Sequence, residues 1–276
     1  MASIDQILEG IHKLPTVPSV VQELLASFDD EQADVDGIAA KVARDQVIAA
    51  KVLRMANSVQ YHCSRSVASI PDALMVIGFS NVRTLVIASG VTGMKFTIPG
   101  IDRKKYWQRG LGVAGVSRWL GGLGKLNGET CFSAGLLHGI GELLMRVADP
   151  GAYARVDAAL AGSAKRDDAE QAEFATNHSE IGAELARRWR FPEEICQGIL
   201  AHRKPFAYTP FNPVAGVVLI AEQILDGYNA AHQPGEVACE VSTEVLAKLG
   251  IAQPALFEQL PAVMADIGEW EKLLGD

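Results

Sequence analysis

No apolar run in this chain approaches the about 20 residues that a membrane-crossing helix needs; the densest, ALMVIGF and VVLIA, have the length of buried core helices. Closely spaced cysteines are missing as well. Cys63, Cys131, Cys196 and Cys239 stand far apart, which excludes a zinc knuckle and a CxxC redox pair and leaves buried, reduced thiols as the expectation. The start, MASIDQILEGIH, carries early acids and no basic segment, so it lacks the pattern of a secretion signal, and a cytoplasmic location is expected. Strand-like alternation is absent throughout. Positive charge is scarce at one end. Lys and Arg against Asp and Glu number 8 to 10 over residues 1–100, 15 to 13 over 101–204 and 2 to 10 over 205–276, giving −2, +2 and −8. An acidic tail repels phosphate backbones, so direct nucleic-acid binding is not expected, and neither is a membrane partner.

What is present is helical spacing. The chain has 276 residues, 49% of them apolar and 21% charged, enough for a sizeable core in one large or two modest domains. Ser3 is placed to cap a first helix, and the prolyl break LPTVP separates it from a second that begins around Val20, Val21, Leu24, Leu25 and Phe28. Asp34 opens a third, and VIAAKVLRMAN a fourth. Ser69, Pro71 and Asp72 mark a further start, with Gly78 as its end and Ser80 capping the next helix. That outline matches a DNA-reading helix pair, but the second helix offers only Arg83 and Lys95 among Leu85, Val86, Ile87 and Val91, so it reads as core. The apolar rhythm pauses at TIPGI, residues 97–101. Beyond it, helices are expected near 102–120, 129–147, 150–161, 167–175, 178–190, 192–202 and 211–229, followed by acidic C-terminal helices. The Gly-rich GGLGKLNGE lacks the Lys-Ser/Thr ending of a phosphate loop and reads as a turn.

Three of six histidines, His138, His178 and His202, fall in or at the ends of strongly patterned helices. Glu142 lies four residues after His138, on the same helical face. Glu222 puts a carboxylate on the apolar face of its helix, which is costly without a partner. Three imidazoles and a carboxylate are ligand types for a transition metal, although a lone helical histidine is usually an ordinary hydrogen-bonded residue.

The segments GLLHGIGELL, NHSEIGAELARRWRFPEEICQGILAHRKP and AGVVLIAEQI resemble, in order and spacing, helices of the HD superfamily of metal-dependent phosphohydrolases. LPTVPSVVQELLASF, VARDQVIAAKVLRMANS and SIPDALMVIGFSNVRTLVIA resemble the N-terminal helical half of the HDOD domain, the HD-related output domain of bacterial signalling. The resemblance covers about residues 10–230. It implies an all-α fold with an N-terminal helical subdomain over 1–96, a degenerate HD-like helical subdomain over 97–235 and acidic helices over 236–276.

The resemblance also locates a pocket built from Arg109, His138, Gly139, Glu142, His178, His202 and Glu222. Arg109 stands where the catalytic pattern has its first histidine. The His-Asp doublet has become His138-Gly139, Glu142 replaces a lysine of the HD-GYP type, and Glu222 takes the late carboxylate position. In HD enzymes the doublet aspartate holds the ions that activate water. Glycine supplies no oxygen, and a guanidinium brings fixed positive charge to a cation pocket. A non-catalytic signalling scaffold that binds a protein partner is therefore expected, with no cofactor beyond an adventitious or residual divalent ion, for which His138, His178, His202 and Glu222 are the ligand candidates. Arg109 is expected to pair with Glu142 or Glu222. A divergent phosphohydrolase acting on a nucleotide or cyclic dinucleotide is the alternative; a nucleotide ligand and a homodimer stay open.

Overall fold

Asp34, Asp45, Asp102, Asn127, Asp149, Asn177 and Ser242 each turn a side-chain oxygen onto the free backbone N–H groups of the helix that follows. These caps are worth about 1 kcal/mol each and set where the helices begin. The computed structural model describes residues 23, 24, 27, 34–57, 66–92, 100–189, 191–229 and 241–274. Among these it has thirteen α-helices and no strand. They are α1 (Val35–Val42), α2 (Gln46–Ala56), α3 (Ile70–Thr92), α4 (Arg103–Leu123), α5 (Gly128–Leu137), α6 (Ile140–Ala148), α7 (Pro150–Ala161), α8 (Arg166–Phe174), α9 (His178–Arg188), α10 (Glu193–Ala201), α11 (Pro213–Asn229), α12 (Thr243–Leu249) and α13 (Gln253–Leu274). The helix expected from Ser3 and most of the one expected over 20–28 lie outside the described residues.

The chain divides into two compact units, one built on residues 96–268 and the other on 16–95. In the second unit, Ile38, Val42, Ile48, Val52 and Met55 of α1 and α2 are buried, as are Leu74, Ile77, Val82, Leu85 and Val86 of α3. The two helices expected on either side of Gly78 are the two arms of α3, which bends at that residue with φ +77°. Glycine alone reaches this region without a steric penalty. With Val82, Leu85 and Val86 interior, the second arm cannot offer them to a DNA groove.

In the larger unit α4 lies along α5 and α11, α10 packs on α5, α9 and α11, and α9 packs on α6. Val113, Val116, Leu120, Phe132, Leu137, Leu144, Ile199, Val217 and Ile220 fill the space between them. Cys131 and Cys196 are free and buried, and burial pushes their thiols up to about 12 and about 11, so neither is an exposed nucleophile. Cys63 and Cys239 lie outside the described residues.

One expectation needs correction here. The stretch 129–147 is two helices, broken at His138-Gly139. The break leaves His138 at the end of α5 and Gly139 ahead of the first turn of α6. Gly141 explains how closely α6 then approaches α9. A Cβ at that position would lie 2.0 Å from the His178 carbonyl oxygen and 2.8 Å from the Gly182 nitrogen, so the two backbones touch where any side chain would intervene.

Candidate functional site

Helix ends and the middle of α11 bring the four candidate ligands together. His138 closes α5, His202 closes α10, His178 is the first residue of α9, and Glu222 projects from α11. All four are at least nine-tenths buried. Each ring is held by its Nδ1–H. His138 donates to the Gly135 carbonyl at 2.6 Å and His202 to the Ile199 carbonyl at 2.7 Å, the same three-residue reach back along a helix. His178 donates to the Glu170 carboxylate at 2.7 Å.

The opposite ring edges face inward. His138 Nε2 lies 3.3 Å from Glu222 Oε1, His202 Nε2 lies 3.8 Å from Glu222 Oε2, and the Nε2 atoms of His178 and His202 are 3.4 Å apart. Burial alone would raise the Glu222 carboxyl, but His138, His202 and Arg203 around it hold it well below the ordinary carboxylate range. Burial drives the His202 imidazole down to about 3, with His178 and His138 adding to the effect against the pull of Glu222.

Behind the histidines lies a layer of paired charges. Glu170 has no exposed surface. It accepts the His178 backbone N–H at 2.9 Å and the Tyr153 hydroxyl at 3.1 Å, and Tyr153 in turn accepts from Arg166 at 3.0 Å. Burial works to raise the Glu170 carboxyl; the His178 hydrogen bonds and the nearby cations outweigh it and lower it. Glu142 shares Arg146 at 2.9 Å and Arg166 at 3.2 Å, and Arg146 also grips Asp157.

A cleft of about 480 Å³ opens onto this cluster, with Asp102, Lys105, Tyr106, Arg109, Arg166 and Asp226 among its lining residues. Its lining carries four carboxylates (Asp102, Glu142, Glu222, Asp226) and three cations (Lys105, Arg109, Arg166), a balance of −1 with the histidines neutral.

The structure places the residues expected from sequence as follows. His138, His178, His202 and Glu222 converge. Arg109 pairs with Glu222 at 3.6 Å and makes a closer contact with Asp226. Glu142 is taken by Arg146 and Arg166 rather than by Arg109. Arg203, an exposed residue, reaches Glu222 at 3.8 Å and Asp167 at 3.6 Å. Arg187 and Arg188 pair with Glu184 and Glu193 on the outer face of α9. Asp226, Glu170, Arg166 and Tyr106 were not singled out from sequence. Only Asp226 had a local signal, one helical turn after Glu222.

The family model for the HDOD domain matches residues 14–205, well over half the chain. The chain belongs to the HDOD domain family. A protein of Shewanella amazonensis SB2B provisionally named a phosphohydrolase is 31% identical in sequence, and its crystal structure superposes with a TM-score of 0.82 over 98% of each chain. A protein of Marinobacter aquaeolei VT8 provisionally named a signal transduction protein is 21% identical, with a TM-score of 0.77 over 99% of this chain and 65% of its own, a likeness of fold. A curated relative, an uncharacterized protein of Treponema pallidum, is 24% identical over 231 residues, 80% of this chain. The present chain spans about half the length of that relative, 44% of which is matched.

The related HD enzymes imply a pair of metal ions, and this HDOD chain does not fit such a pair. At Gly139, where the doublet aspartate would project, a Cβ would already stand 3.1 Å from the Tyr106 hydroxyl, so a phenol fills the space an aspartate would use. Burial raises that phenol well above its ordinary range, and it stays neutral. Arg109 meanwhile lends a permanent cation to Glu222.

Proposed function

We propose that this HDOD protein is a non-catalytic output module of bacterial signalling that acts in the cytoplasm by binding a protein partner. One observation carries the reading: Tyr106 occupies the place of the missing doublet oxygen beside Gly139, while Arg109 meets the carboxylates of α11. Without an oxygen donor there, no pair of ions is held to activate water against a phosphate ester. The family match and a fold shared with a protein provisionally named for signal transduction support it further. With four carboxylates against three cations, the balance of −1 in the cleft works against a nucleotide as the resident ligand.

The alternative, a divergent phosphohydrolase, draws on the convergence of three histidines and Glu222 and on the name of the 31% identical Shewanella protein. Turnover separates the two. The full chain, purified without a metal-affinity step, is incubated with manganese or ferrous iron and with bis-p-nitrophenyl phosphate, a nucleotide and a cyclic dinucleotide. The non-catalytic reading expects no product above the rate given by the same ions with a His138→Gln, His178→Gln double variant. Repeated turnover that the double variant abolishes would overturn it.

A further inference from the structure

We draw no further inference here: the strongest candidate, the cleft of about 480 Å³ lined from α4, α9 and α11 by Tyr106, Arg109, His178 and Glu222, belongs to the site already described.

Discussion

Replacing Gly141 by alanine probes the contact that fixes His178 in place. The added Cβ would stand 2.0 Å from the His178 carbonyl oxygen, whereas ordinary contact begins near 3.4 Å, so α6 and α9 must part by 1.4 Å at that point. Neither the carbonyl nor the Gly182 nitrogen can rotate away, because both belong to the backbone of α9. Overpacking of this kind costs about 1–3 kcal/mol. Moving the first turn of α9 also stretches the two bonds of 2.7 and 2.9 Å from His178 to the buried Glu170, adding about 1–3 kcal/mol for a carboxylate left short of donors. The sum is roughly 2–6 kcal/mol. At about 2–4 °C per kcal/mol for a domain of this size, Tm should fall by roughly 4–24 °C in a calorimetric or circular-dichroism melt. Gly122→Ala is the control, since its Cβ meets nothing within 4 Å and alanine is the better helix former. If Gly141→Ala melts within a degree or two of Gly122→Ala, the close approach of α6 and α9 is wrong.

Two further outcomes follow from the buried charges. Glu170→Ala should cost roughly 3–6 kcal/mol in urea unfolding, because it strands the His178 backbone N–H, the His178 ring N–H and the Tyr153 hydroxyl; Glu170→Gln, which keeps an acceptor for His178, should cost less than half of that. In the presence of chelator, His202 makes stability fall as pH drops through 6.5. Its folded value of about 3 lies below the ordinary 6.5, so the unfolded chain takes up the proton first and the stabilisation is complete only above 6.5. The loss between pH 6.5 and 5.0 is about 2 kcal/mol, and a plot of Tm against pH for His202→Asn should be flatter than the parent's over that window.

Helix positions were largely legible because capping and periodicity are local. Asp34 and Ser69 each cap the helix they were expected to open, through bonds spanning three residues. The break at His138-Gly139 was not legible, since LLHGIGELLM keeps an apolar pattern through it. Within the site, the three histidines and Glu222 were recognised by residue type and order. Glu170, Arg166 and Tyr106 were not, because a charged residue in an ordinary polar helix such as RDDAEQAEF looks solvated until α7, α8 and α9 close over it.

By itself, the sequence determined that this protein is helical, that it is an HDOD chain, and that the doublet aspartate is gone, because residue identity and short-range hydrogen bonding suffice for each. Only the tertiary structure decided what stands in the vacated space, how Arg109 divides itself between Glu222 and Asp226, and that the inner edges of three imidazoles gather beside the Glu222 carboxylate. These depend on atoms that lie up to 117 residues apart in the chain and meet within 4 Å, and electrostatics at that range is set by distance and burial, which no linear pattern encodes.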